Sequence, residues 1–417
     1  MVSEKKPKSA KRPILVGVTT NVLVLGIVSM LTDMSSEMIY PILPLFLTAI
    51  GATGLVIGLI EGAAETTSSF LKVISGWHSD RTGKRRNLVL GGYAASSVTK
   101  PFLALATSYW HVLGIRIVER VGKGVRSAPR DALIADSTPQ EYHGRAFGFH
   151  KAMDTAGSIL GPTVVLAVLL LVGAAATTDT YRMIFLISAV PALAAVAIGF
   201  AFVREKEGEP KKLTGRFFEE VGKLGRPFWL LMMVVSVFYI GEVSYAFLIL
   251  RASEESVQTV PVLMMYILFN AVFILSAIPA GDLSDRLGRR PVIIASFTTF
   301  VLMAAVMVAA DSIVLLSAGF ALYGLYKGTS EGVFKAFVTD VVGEGNRGTA
   351  LGAFHTVVGL VMLPGGIVAG LLWDNVGHWA TFAYGMITAL SALMLLLVFA
   401  RGDVINRTGP ISGNASS

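Results

Sequence analysis

The chain has 417 residues, 53% of them hydrophobic and only 15% charged, where soluble domains carry about 25% charge. Too few charged side chains are present to coat a soluble globule of this size, and the net charge of +7 has to be explained by where the Lys and Arg fall. The absence of Cys excludes disulfide staples and thiolate metal sites.

A bilayer core of about 30 Å takes about 20 apolar residues per helix. Twelve such runs follow one another, at residues 18–49, 53–77, 87–107, 110–137, 146–173, 181–203, 227–250, 261–281, 291–310, 312–340, 348–373 and 379–400. They predict an all-α polytopic membrane protein. Residues 1–13 form a basic tail ahead of span one, which is too long for a cleavable signal and carries Asp33 and Glu37. These two acids lie four apart on one helical face, with Tyr40 three residues further on.

Span two carries Glu61, Glu65 and Lys72 on one face. Span four carries Arg116, Glu119, Arg120, Lys123, Arg126, Arg130 and Asp131, which at 100° per residue fall in one charged stripe. Counted inward from the same surface, Glu61 sits at the depth of Arg116 and Glu65 at that of Arg120, so the two helices can bury their charge as ion pairs. With Lys72, Asp33 and Glu37 included, these spans hold as many acids as bases. The stripe therefore has two readings: a structural ladder, or direct contact with a solute, for which Arg120 and Lys123 lie deepest.

The polar segment 204–226 divides six spans from six, giving bundles at 14–203 and 227–400 and a closing tail at 401–417. Span seven repeats the acid and tyrosine of span one as Glu242 and Tyr245. Span ten places Lys327 and Glu331 one turn apart, the spacing of an intrahelical pair, and Lys335 one turn further. His150 and His355 occupy matching places near the inner ends of spans five and eleven, as proton sensors or as hydrogen-bond donors.

A shift of 205 residues superposes Glu37 on Glu242, Tyr40 on Tyr245, Gly76 on Gly281, Asp80 on Asp285, Arg81 on Arg286, Gly83 on Gly288 and Arg85 on Arg290. A shift of 204 superposes Lys123 on Lys327 and Asp136 on Asp340. The halves are parallel copies of one six-helix unit. With the first residue inside the cell, 23 Lys and Arg fall on cytoplasmic segments and one, Arg251, on the opposite loops. That asymmetry puts both termini in the cytoplasm and accounts for the basic balance without a nucleic-acid partner.

The loops after spans two and eight, Gly76 to Arg86 and Gly281 to Arg290, resemble the signature loop G-x-x-x-D-R-x-G-R-R of the major facilitator superfamily. Arg116 to Gly122 resembles its span-four motif, with Glu119 in place of Gln and Arg120 in place of the first Gly. Gly157 to Pro162 resembles the span-five motif G-x-x-x-G-P of the proton antiporters without the Gly pair that follows it. The resemblance covers residues 14 to 400.

It implies two pseudo-symmetric six-helix bundles in the cytoplasmic membrane and a cavity lined by spans one, four, seven and ten. The resulting expectation is a proton-coupled secondary transporter of a small organic solute, anionic or zwitterionic, working as a monomer by alternating access. Asp33, Glu37 and Glu242 are the proton-coupling candidates, since low-dielectric surroundings favour a carboxyl that can hold a proton. Tyr40, Arg116, Glu119, Arg120, Lys123, Tyr245, Lys327 and Glu331 are the solute-binding candidates. The ten loop positions Gly76, Asp80, Arg81, Gly83, Arg85, Gly281, Asp285, Arg286, Gly288 and Arg290 form a gating loop, as a latch for the outward-open state or as a topology element. Drug/proton antiport and lipid or lysolipid flipping are the alternatives on the same fold. No phosphate-binding loop, nucleophile elbow or metal-ligand cluster is present, so neither a cofactor nor an enzymatic activity is expected.

Overall fold

The computed structural model describes residues 18–172, 177–206, 217–255, 258–342 and 347–401. The two tails, but for Arg401, and residues 207–216 of the segment between the halves lie outside them. The first half runs α1 (Thr20–Ile39), α2 (Leu43–Ala49), α3 (Gly54–Thr82), α4 (Arg86–Val98), a 3-10 turn (Lys100–Leu105), α5 (Tyr109–Asp136), α6 (His143–Val172) and α7 (Thr178–Phe202). After the short α8 (Phe217–Gly222) the second half runs α9 (Arg226–Ile240), α10 (Tyr245–Glu254), α11 (Thr259–Leu287), α12 (Arg289–Ala309), α13 (Ile313–Val342), α14 (Arg347–Asn375) and α15 (His378–Arg401).

These segments make twelve transits. Spans one, three and seven, expected as single helices, are each broken once. Pro41 and Pro101 explain the first two breaks, because proline lacks the N–H that would continue the ladder and disfavours helix in the residue before it. In span seven the chain leaves the helix at Gly241 and restarts with Ser244 as the cap of α10, its hydroxyl accepting from Ala246 N at 3.2 Å. Arg251, expected in a loop, consequently lies within α10, buried and donating to the Ala310 carbonyl.

Among the described residues nine helical segments are long and apolar enough to cross a membrane. The transits that fall short of that apolarity are α3, α5 and α13, which carry most of the charges that line the central cavity. They can be polar because they face the middle of the molecule and one another, where partners replace water.

All transits alternate between a basic end, where Gly83 and Gly288 turn the chain, and an opposite end. Gly83 closes α3 with φ +67° and Gly288 separates α11 from α12 with φ +91°, backbone that glycine adopts without a Cβ penalty. The apolar core of the second half is continuous with members of the first that lie towards the opposite end, among them Phe46, Val165 and Phe185. At the basic end the first half keeps a separate core of Val22, Val89, Leu90 and Leu133. The halves are thus fused at one end and parted at the other.

The fusion is closest where α3 meets α14. A Cβ on Gly58 would collide with the Gly366 carbonyl, and one on Gly62 would stand 2.9 Å from Leu363 Cα. Asp374 of α14 seals the contact by accepting from Gly54 N at 2.7 Å and Leu55 N at 2.8 Å, two of the orphan donors at the start of α3.

Candidate functional site

A cavity of about 370 Å³ lies between the halves, walled by α3 and α5 on one side and by α13, α14 and the α9–α10 break on the other. The α3–α14 seam closes it towards the opposite end. Its ionisable lining is Glu61, Glu65, Lys72, Arg120 and Lys123 from the first half, with Glu242, Lys327, Glu331, Lys335 and His355 from the second.

The helices α3 and α5 run parallel and in register, and they make the ladder that the spacing allowed. Arg116 donates to Glu119 at 2.6 Å and to Glu61 at 3.2 Å, and Arg120 reaches Glu65 at 3.7 Å. Both guanidinium groups also lie over the Tyr40 ring, at 5.1 and 5.4 Å. Arg116 is 0% exposed, and neither it, Glu119 nor Tyr40 lines the cavity. These three solute-binding candidates stand behind the cavity wall, Arg116 held by Glu61 and Glu119 and the Tyr40 ring by both guanidinium groups. Further along, Arg126 stacks on Tyr93 at 4.5 Å and donates to Ser96, and Arg130 donates to Asp131 and Ser29. The stripe on α5 therefore divides among three neighbouring helices, α3, α4 and α1.

Lys123 is different. It faces the cavity, and its ammonium has no hydrogen-bond or ion-pair partner among the described residues. Lys72 meets the His355 ring at 3.3 Å and, among the described residues, no carboxylate within ion-pair distance. In the second half Lys327 is neutralised by Glu242, which also accepts from Tyr326 at 2.9 Å. The intrahelical pair expected between Lys327 and Glu331 is not made: Glu331 pairs with Lys335 at 3.2 Å instead. The break before α10 brings Glu242 close enough to take Lys327. Tyr245 lines the cavity beside it, its hydroxyl buried without a hydrogen-bond partner among the described residues and its ring 6.2 Å from Tyr40.

Glu37 and Asp33 stand outside the cavity, where α1 packs on α6. Gly157 and Gly161 of the span-five motif make that packing possible, since a Cβ at either would run into α1 backbone and into Asp33 or Glu37 Cβ. The Glu37 carboxylate accepts from Tyr266 of α11 at 2.9 Å, a bond that crosses from one half to the other. Sequence reading missed Tyr266, a lone tyrosine in an apolar run that carries no signal. It also passed over Lys100, which is fully buried and donates to Ser35 at 2.9 Å, Ser36 at 3.0 Å and the Thr32 carbonyl at 3.2 Å. A lysine inside an apolar span was a usable signal.

At the basic end the signature loops are pinned within their own halves. Arg85 pairs with Asp136 at 2.6 Å and Asp80 at 4.0 Å, while Glu205 accepts from Arg85 N at 3.0 Å. The matching clamp in the second half is Arg289, held by Asp340 at 2.9 Å and by Asp285. This corrects the alignment of Arg85 with Arg290: the loop is one residue shorter there, so the shift falls from 205 to 204. Gly76 packs on Ala128, Gly281 has open space beside it, Arg81 lies over Trp77, and Arg286 makes an exposed pair with Asp282.

The profile of the Major Facilitator Superfamily matches residues 25–273 and 250–413. An uncharacterised MFS-type transporter of Methanocaldococcus jannaschii is 38% identical over 386 residues, covering 90% of this chain and 94% of the relative. Among solved structures, a mutant of the nucleoside transporter NupG superposes with a TM-score of 0.75 at 15% identity, over 91% of this chain and 99% of that one. A D-xylose-proton symporter superposes with a TM-score of 0.70 at 16% identity, over 89% and 96%. Likenesses at this identity speak for the fold.

Proposed function

The chain belongs to the major facilitator superfamily, and we propose that it is a proton-coupled secondary transporter of a small anionic or zwitterionic solute. On the charge of its loops, residues 14–203 and 227–400 lie in the cytoplasmic membrane with both termini inside. In that orientation the fused end is extracellular and the parted end cytoplasmic, so the conformation is inward-facing and the α3–α14 seam is the closed gate. Rocking the halves about the central cavity exposes it to either side in turn.

The observation that carries the solute class is Lys123. Each half presents a lysine to the cavity at the same repeat position, and Glu242 satisfies the one in the second half. Lys123 has no such partner among the described residues and is free to hold a carboxylate or phosphate, with Lys72 nearer the mouth. Glu65, Glu331 and Tyr245 supply acceptors and a hydroxyl for a second, polar or cationic part of the same solute.

Proton coupling rests on Glu37, whose hydrogen bond to Tyr266 ties α1 to α11 across the moving interface. Protonation changes that bond, and opening the gate must break it, so charge state and conformation are linked. Glu242 is the second carboxyl of this kind, held in the cavity wall by Lys327.

A thermal-shift screen of the purified protein against organic anions, phosphorylated metabolites, siderophores and cationic dyes identifies the solute, and stabilisation by cations alone overturns the assignment. In vesicles loaded with the stabilising solute, Glu37→Gln should abolish proton-driven transport and leave counterflow exchange intact. Unchanged proton-driven transport would remove Glu37 from the mechanism.

A further inference from the structure

A second group of ionisable side chains lies in the first half, apart from the cavity. Asp154 of α6 is one turn from Gly157, where α6 presses on α1 so closely that a Cβ would stand 3.2 Å from Asp33 Cβ. Asp33 and Asp154 thus flank the same close α1–α6 contact from facing helices. Neither has an Arg or Lys within ion-pair distance among the described residues, although Lys123, Arg126 and Arg130 of α5 act on Asp33 from further off. One turn before Asp154 on the same helix, His150 Nδ1 stands 3.5 Å from Asp154 Oδ2. His150 is 4% exposed, and its Nε2 and Asp154 Oδ1 are both buried with no hydrogen-bond partner among the described residues. None of the three residues lines the central cavity.

Two adjacent carboxylates in a low-dielectric interior cannot both carry charge cheaply, and one proton between them removes the conflict. We propose that Asp33 and Asp154 share one exchangeable proton, and that His150 is the group through which it reaches water at the basic end. Half-exposed Asp131 marks the way out, beside Arg130 on α5. The site faces Lys123, Arg126, Arg130 and Asp131 on α5, Lys100 in the turn after α4, Glu37 on its own helix and Lys151 next to His150. Loading takes one proton from basic-end water and turns one carboxylate into a carboxyl; unloading returns it. The inference extends the proton-coupled reading by giving Glu37 a neighbouring proton store one turn away.

The test uses the full chain in lipid nanodiscs and needs no solute: infrared difference spectra of the carboxyl carbonyl stretch, recorded from about pH 5 to pH 8. Asp33→Asn and Asp154→Asn should each remove the same titrating band, because the remaining acid then has no like charge beside it and stays ionised among the α5 cations. The double variant should lose no more than either single one, and Asp154→Glu should restore the band. Glu37→Gln should leave it in place. Persistence of the band in Asp154→Asn, or a double variant that loses twice as much as a single one, overturns the proposal. After a pH jump, His150→Gln should retain the amplitude but slow its appearance by about tenfold or more; an unchanged rate overturns the part given to His150. If the band behaves as described while Glu37→Gln leaves vesicle transport unaltered, the proton-coupled reading fails and this site stands.

Discussion

Repeat-related residues of the two halves hold the same side chains in different states. In the second half Lys327 donates to Glu242 and Tyr326 completes the carboxylate at 2.9 Å. In the first half the ammonium of the equivalent Lys123 has no partner among the described residues, and the equivalent Glu37 accepts from Tyr266 of the other half. The surroundings differ as well. The first half braces its cavity wall with ions, Arg116 between Glu61 and Glu119. The second uses rings: Phe238 stacks on Phe297 at 4.2 Å and meets Phe300 at 5.3 Å and Tyr326 at 5.6 Å. One duplicated scaffold therefore supports two kinds of wall. The ionic wall costs desolvation and must be complete to be stable, whereas the aromatic wall depends on volume and tolerates exchange.

The largest expected effect tests that asymmetry. Arg116→Met leaves Glu61 and Glu119 in a buried site without their shared cation and should cost about 3–5 kcal/mol in unfolding of the purified protein. Neutralising all three residues together should recover most of the loss, since the penalty comes from the stranded acids. Phe238→Leu removes only part of a ring from the second wall and should cost roughly 1–2 kcal/mol. Equal losses for Arg116→Met and Phe238→Leu would mean that the two walls do not differ in kind.

The same contrast decides what could be read from the sequence. Twelve transits and the duplication were legible because apolar run length and the repeated loop are local properties. The pairing of Glu61 with Arg116 and of Glu65 with Arg120 could be reached by counting depth, because α3 and α5 run parallel from the same surface and keep register. Helical spacing gave the wrong partner for Lys327, because the chain breaks at Gly241 and sends Glu242 across to α13. Tyr266 could not be found, since its importance lies in which helix of the other half it meets. Nor could the Arg85 and Arg289 clamps be matched while the loop was aligned at a single shift.

An intermediate effect is expected where the halves meet. On Gly366→Ala the new methyl lands against the Gly58 backbone, which cannot move aside as a side chain would. Overpacking of this kind costs about 1–3 kcal/mol, and the strain is relieved by separating α3 from α14. Gly348→Ala on the same helix has open space beside it and serves as the control. The chain has no native Cys, so labelling of a cysteine placed at Met362 by an impermeant maleimide reports the opening. Faster labelling from the extracellular side is expected for Gly366→Ala and not for Gly348→Ala.

The smallest effect belongs to Asp374, and it bears on how far each half depends on the other. Its two oxygens accept from Gly54 N and Leu55 N, so the second half caps a helix of the first. Thr53 caps the same helix from within, accepting from Val56 N at 3.5 Å, and it stays in place when the gate opens. Opening therefore frees two N–H groups into water and leaves α3 folded. Asp374→Ala should favour the open gate by about 1 kcal/mol, a roughly fivefold gain in labelling at Met362. Asp374→Asn, which keeps one acceptor oxygen but no charge, should fall between the alanine variant and the native protein. If instead Asp374→Ala lowered the thermal stability of the whole protein as much as Arg116→Met, the cap would be part of the folding of α3. The two halves would then be one cooperative unit at that end, with no gate between them.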